Sequence, residues 1–453
     1  MRTVAALMLT AGCAGGPVEV GSADSSMEVD GPTWHADVAP VLTEHCVGCH
    51  VADGIGWQVP LDTYEGAYAV HGQIGDQVGR ALMPPFHAES TDECAPRFPW
   101  IRDPRLEDTE VELLGAWVKA GAPEGDPASA APISPPVPLH LDDWDVELGP
   151  EQPYRATRGD VQICFALPPG ISSTQWLTAI EVLPEATQAV HHVQVRIDPA
   201  GAAADRGGDK GWYECTGALE GTDVGGWLPG APPIELPGAL GIEVDPSDAI
   251  MMQVHYHVID DSEHLDATRL RIRFSEDRPT FVPRMMRIGN DTGPEVWGGL
   301  QPGVGGEVEF AVPPGAVGHT ETMRYDVRVP GEYAVFMVAN HMHYAGVDAM
   351  LWVEHATPSA EEPGSECLLH TPRWDFDWQQ MYQYDFTSGR TPYLREGDSV
   401  FLRCTYDNTW DNAAWADALA GVGVTDLPTI DLGASATQEM CAAMLGVVRL
   451  DGG

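Results

Sequence analysis

The sequence predicts a multidomain protein in which a small α-helical unit is followed by two all-β sandwiches. Three observations carry that expectation. Apolar residues recur at helical spacing early in the chain, the periodicity changes to two beyond about residue 150, and the β region is generous for one sandwich. The 453 residues are enough for two or three cores of ordinary domain size.

The chain opens with Arg2, the apolar run Val4 to Leu9, and then Thr10-Ala11-Gly12-Cys13. This reads as a short export signal. Small residues directly before a cysteine resemble a lipoprotein cleavage site, which would leave lipidated Cys13 as the new N-terminus; simple cleavage is the alternative. Residues 1–31 are expected to be signal and tether. The destination is the periplasm, the outer membrane or the cell surface. No later apolar stretch approaches the ~20 residues that span a bilayer, so membrane attachment is expected only through lipid. In an oxidising compartment, cysteines pair or hold a cofactor. The 68 acidic and 24 basic residues, a net charge of −44, argue against nucleic acid and anionic membrane surfaces as partners.

The pattern from 32 to 124 is helical and loop-rich. Asp37 to Leu42 leads into Cys46. Leu106 to Ala120 places Val111, Leu114, Trp117 and Val118 at helical spacing, with acidic residues in its first turns, and Gly121 and Pro123 stop it. A Pro/Ala-rich linker is expected over 125–150. Strands then follow at Val161 to Leu167, His192 to Ile197, Met251 to Val258, Leu270 to Phe274, Tyr333 to Val338, Met350 to Val353 and Val400 to Thr405. Turn clusters without intervening helices separate them, which implies sandwiches. One is expected over 151–278 and another over 279–453, joined near Arg278 to Pro283.

Cys46-Val47-Gly48-Cys49-His50 is a CxxCH motif. Two thiols at this spacing add to the vinyl groups of one haem c, and His50 ligates its iron. Met83, in Met83-Pro84-Pro85, is the candidate sixth ligand, with His87, His71 and His45 as competitors. The Met-Pro-Pro run, Leu61 to Glu65 and Trp117 to Pro123 resemble small bacterial cytochrome c modules, which makes 32–124 a cytochrome c-like haem domain by expectation.

Three histidine clusters lie in the β region: His191-His192, His255-Tyr256-His257 and His341-Met342-His343. Residues i and i+2 of a strand share a face, so His341 and His343 can grip one ion. His191 and His192 point to opposite faces of an ideal strand, and joint ligation there requires local distortion or a strand end. Imidazole suits zinc, copper, nickel or iron, and added thioether biases a site toward copper. No cysteine lies within these clusters, which disfavours a structural zinc site.

The region from about Gln162 to Val448 resembles the copper type II, ascorbate-dependent monooxygenases, the group of peptidylglycine α-hydroxylating and dopamine β-monooxygenase. The matching residues are Val190-His191-His192, Met252-Gln253-Val254-His255-Tyr256, His341-Met342-His343 and Glu439-Met440-Cys441. Trp374 to Tyr384 and Tyr406-Asp407-Asn408 resemble bacterial members. The resemblance implies two coppers per chain on jelly-roll-like sandwiches. An electron-transfer copper would sit at His191, His192 and His255, and the oxygen-binding, catalytic copper at His341, His343 and Met440. It also implies disulfides Cys164–Cys215 and Cys404–Cys441, leaving Cys94 and Cys367 unassigned.

The departures concern substrate. Ala339 stands where the peptide-amidating members have an arginine, and Ala442 and Met444 stand where they have asparagine and tyrosine, so a peptidylglycine substrate is not expected. His257 replaces a glycine, and three readings stay open: a support for a ligand, a spare ligand, or an exposed side chain. The implied activity is hydroxylation of a C–H bond of an organic substrate with O2. Electrons would come from an ascorbate-like or cytochrome donor, or from the chain's own haem. The alternative is a haem and copper electron-transfer or copper-binding protein without hydroxylase activity.

Overall fold

Strands make up 39% of the described residues and helical turns 18%. The computed structural model describes residues 31–51, 56–133, 140–215, 221–228, 231–258, 261–290, 310–359, 362–433 and 435–450. The export signal and Cys13 lie outside the described residues.

Alternation sends half of each strand inward. In Arg269–Ser275, Leu270, Ile272 and Phe274 are buried while the arginines between them are not. Such strands build four principal antiparallel sheets. The first runs Trp212–Glu214, Gly159–Leu167, Ala249–Val258, Val190–Asp198 and Thr222–Trp227. The second places Gln175–Leu183 between Ile242–Val244 and Arg269–Ser275, and Val146–Leu148 adds to its edge. Ile163, Phe165, Leu177, Val195, Val254 and Leu270 belong to the core these two sheets share.

The third sheet centres on Glu332–His341 and Ala442–Arg449, with Pro283–Gly289 beyond the latter. The fourth runs Val317–Asp326, Ser399–Asp407, Gly346–Glu354 and Ser365–Thr371. Val335, Leu351, Leu369, Leu402, Tyr406 and Val447 lie in their common core. Every expected strand lies within an observed one, because period-two burial is a local signal.

The larger expectation, a cytochrome c-like helical domain ahead of two separate jelly-roll-like sandwiches, is overturned. Short helical elements, Trp34–Val38, Ala39–His45, Tyr64–Ala69, His71–Gly79 and Asp108–Lys119, pack around Trp34, Leu42, Leu114 and Trp117. The last opens with a reciprocal cap between Glu107 and Glu110 and ends before Gly121, whose φ is 85°. They do not stand apart as a clear helical domain, because the chain between them joins the β region. Trp100–Ile101 pairs with Tyr382–Tyr384 at the edge of the third sheet, and Phe86 and Ala88 sit in that sheet's core. Cys94 is bonded to Cys367, and Arg97 makes two hydrogen bonds to the buried Glu366.

The two β halves are not independent either. Phe336, Met337 and Val448 of the third sheet reach into the core of the first two sheets. The physical reason is burial: a sheet with apolar residues on both faces needs cover on both. Likewise Val146–Leu148, inside the expected linker, is a paired strand.

The described residues hold three disulfides: Cys94–Cys367 and the two implied pairs, Cys164–Cys215 and Cys404–Cys441. Among the described residues no helix is long and apolar enough to cross a membrane.

Candidate metal centre

His191, His192 and His255 converge. His192 Nδ1 lies 3.1 Å from His191 Nδ1 and 3.4 Å from His255 Nδ1. Two adjacent residues reach one point because the ladder slips here: His255 faces His192, yet Tyr256 faces Val190, so His191 bulges out of register. A bulge re-aims a side chain that an ideal strand would turn away. Asp160 orients the third ring, with Oδ1 2.5 Å from His255 Nε2, which leaves Nδ1 toward the cluster.

Burial holds His191 and His192 below the ordinary imidazole range, and neighbouring His255 pushes the same way. Burial alone would raise the Asp160 carboxyl, but its hydrogen bonds with His255 and His257 hold it well below the usual carboxylate range. Burial thus favours, at His191 and His192, the neutral imidazole that metal ligation needs, beside the Asp160 carboxylate. His257 stands outside the convergence, with Nδ1 3.6 Å from Asp160.

His341 and His343 lie at the end of Glu332–His341 and just beyond it, rings 5.2 Å apart. His341 Nδ1 donates to Gln379 Oε1 at 2.6 Å, and His343 Nδ1 donates to the Gln438 carbonyl at 2.9 Å. Both Nε2 atoms are left for a ligand. Burial pushes His341 well below the ordinary range and His343 down to about 4.

Met440 lines the same cavity as these rings. Its loop is held from three sides. The buried Glu439 carboxylate accepts from the backbone N–H groups of His343, Ala345, Gly346 and Met440. Tyr406 donates to the Met440 carbonyl at 2.8 Å, and Cys441 is bonded to Cys404.

The two clusters share one cavity of about 110 Å³, lined by His192, His255, His341, His343 and Met440. The segment Trp374–Gln380 stands between them. Phe376 stacks on His191, and its ring is 5.4 Å from that of His343. Asp377 lies 3.5 Å from His191 Nε2, and Trp374 Nε1 donates to the His343 carbonyl.

Arg287 also lines the cavity, with Nη2 3.4 Å from Met440 Sδ. It lies in one register row with Met444 and Ala339. Sequence reasoning missed Asp160, Phe376, Gln379 and Arg287. Asp160 lies just before the expected Val161 to Leu167 strand and Arg287 lies in none of the expected strands, while Trp374 to Tyr384 carries a resemblance without a role.

Cys46, Cys49, His50 and Met83 line a second, larger cavity of about 1560 Å³, which His191, Asp160 and His257 also border. Its helical wall is apolar, with Leu42, Val59, Leu61, Ile74 and Val78. His50 Nδ1 donates to the Val59 carbonyl at 3.0 Å, turning Nε2 away from it. Burial pushes the Cys46 thiol up to about 12, with Cys49 and Glu110 adding to the rise, and burial raises Cys49 as well. Of the rival sixth ligands, His45 contacts Pro104 and Glu110. His71 stacks on Tyr68, and His87 is buried in the segment packed on the third sheet.

A further buried group, His355 with Glu362 and Glu366, was not anticipated. Its carboxylates already meet Arg395 and Arg97, and Asp398 faces the other ring nitrogen at 3.0 Å. It is an ion-pair network under the fourth sheet.

No family model matches the chain, and no curated protein matches it. Among solved structures, the major capsid protein P2 of bacteriophage PM2 is 8% identical, with a TM-score of 0.29 over 68% of this chain and 98% of that one. The infectious bursal disease virus Gx strain structure is 10% identical, with a TM-score of 0.18 over 70% and 76%. A peptide-N(4)-(N-acetyl-β-D-glucosaminyl) asparagine amidase is 10% identical, with a TM-score of 0.20 over 58% and 96%. Similarity this low assigns neither fold nor activity.

Proposed function

We propose that this chain is an exported copper-dependent monooxygenase that hydroxylates a C–H bond of an organic substrate with O2. The observation that carries the reading is the one cavity lined by His192 and His255 of the three-histidine cluster together with His341, His343 and Met440. Copper at these sites would supply dioxygen activation and one-electron chemistry. Neutral imidazoles with a thioether suit it, the thioether favouring the reduced ion.

The chain's own residues do the rest. Gln379 and the Gln438 carbonyl point His341 and His343 into the cavity, and Asp160 does so for His255. Glu439, Tyr406 and the Cys404–Cys441 disulfide hold the Met440 loop. Phe376, Gln379 and Gln380 line the same cavity.

Cys46 and Cys49 would hold a covalent haem and His50 and Met83 its iron, a placement the apolar wall of the larger cavity suits, and the group would supply electrons. Its shared border at His191 supports delivery to the coppers from within the chain, with an ascorbate-like or cytochrome donor outside it. The three disulfides agree with export. We place the protein in the periplasm or outer membrane, with Cys13 as a lipid attachment point.

The same border favours a second reading, a haem and copper relay without hydroxylase activity. Metal and haem content of the matured protein, followed by oxygen uptake with a panel of organic substrates, separates the readings. Two coppers, one haem and substrate-dependent uptake support the monooxygenase. Full cofactor content without uptake supports the relay, and a chain that takes up no copper sinks both.

A further inference from the structure

We infer that Phe376 is the positioning residue that couples the two histidine clusters, its ring carrying the contact between them. The inference rests on the two-copper reading above and names the route inside it. The Phe376 ring lies nearly parallel to His191, with centroids 4.5 Å apart and an interplanar angle of 24°. It meets His343 edge-on at 5.4 Å and 76°. These are the stacked and T-shaped geometries that aromatic pairs prefer. Phe376 is 4% exposed, and its ring contacts both ligands.

The turn that presents this ring is tied to both sides. Asp375 caps Phe376–Trp378 by accepting from the Asp377 N–H. Asp377 approaches His191 and accepts from the Tyr344 hydroxyl. Gln379 holds His341 through Oε1 and closes back on the Phe376 carbonyl through Nε2. Trp374 holds the backbone of His343. Trp374, Asp375, Asp377 and Gln379 therefore each fix a ligand or the turn itself. A side chain held this way is pre-organised, so its contacts with both clusters persist together.

One electron passing by this route leaves the metal held by His191, His192 and His255, oxidising it by one unit. It arrives at the metal held by His341, His343 and Met440, reducing it by one unit, and no proton moves. Electronic coupling falls steeply across unfilled or water-filled gaps, and an aromatic ring in contact with both imidazoles shortens those gaps.

The test uses the full chain loaded with copper alone. A sub-stoichiometric pulse of one-electron reductant is followed by freeze-quenched paramagnetic resonance, which distinguishes the two Cu(II) signals. Phe376→Leu and Phe376→Met, which keep apolar volume without a ring, are expected to bind two coppers and to lose the fast exchange phase. Phe376→Tyr is expected to restore it. Exchange as fast as wild type in either ring-less variant overturns the inference. So does loss of a copper from both, because the ring would then be only structural support. A wild-type chain that takes up no copper sinks the two-copper reading itself, whereas two coppers with unchanged exchange sinks the role of Phe376 alone.

Discussion

Asp160 Oδ1 sits 2.5 Å from His255 Nε2, while Oδ2 lies 3.6 Å from His257 Nδ1. One carboxylate thus addresses both histidines of the His255-Tyr256-His257 run. Outer partners of this kind fix ring orientation, and their loss weakens metal retention by about 10–100-fold. Asp160→Asn is therefore expected to lower copper retention at the three-histidine cluster on that order, leaving the His341 side unchanged. Competition with a chelator reads this directly, and equal retention would remove Asp160 from the site.

Glu439 accepts from four backbone N–H groups around the Met440 loop. Glu439→Gln turns an amide NH2 toward donors and orphans at least one of them, at about 1–3 kcal/mol for each unsatisfied buried group. Chemical denaturation is expected to show that loss, together with weaker copper binding at His341 and His343. Full stability in the variant would contradict the assigned role of the carboxylate.

The Cys94–Cys367 bond, Arg97–Glu366 and Trp100–Ile101 fasten one segment onto the β region. Replacing Cys94 and Cys367 by serine is expected to cost about 2–5 kcal/mol, the usual range for a native disulfide in an exported domain. Met83 lies just upstream, and Gln380 Nε2 donates to the Pro85 carbonyl at 2.8 Å. The double variant should therefore also broaden the optical signature of sulfur ligation in haem-loaded protein. A thermal melt and an absorption spectrum check both statements.

Burial alone would lower the His355 imidazole, yet hydrogen bonds to Asp398 and Glu366, with Glu362 nearby, raise it from the ordinary 6.5 to about 9. A raised histidine stabilises the fold while protonated. Its contribution is fully present below pH 6.5 and is lost as pH climbs through about 9. Unfolding free energy is expected to fall over that window in the wild type and to lose much of this slope in His355→Gln. Parallel pH profiles for the two proteins would count against the network.

Local signals in the sequence determined a good deal. Strand positions followed from period-two burial, and Asp108–Lys119 from helical spacing with acidic residues in its first turns and a stop at Gly121. The grouping of histidines into pairs, and the CxxCH spacing, were equally legible, because each is written within a few consecutive residues. What only the tertiary structure decided is everything carried by long-range pairing. The bulge that brings His191 beside His192 depends on the slip against Tyr256. Asp160 reaches His255 because Gly159–Leu167 pairs with Ala249–Val258. Phe376 meets both clusters through a turn distant in sequence from one of them. The separate helical domain failed for the same reason. Residues near Phe86 and Trp100 carry no local sign that their cover is a sheet edge more than 250 residues away. Periodicity reports which face of an element is buried, and packing alone decides what buries it.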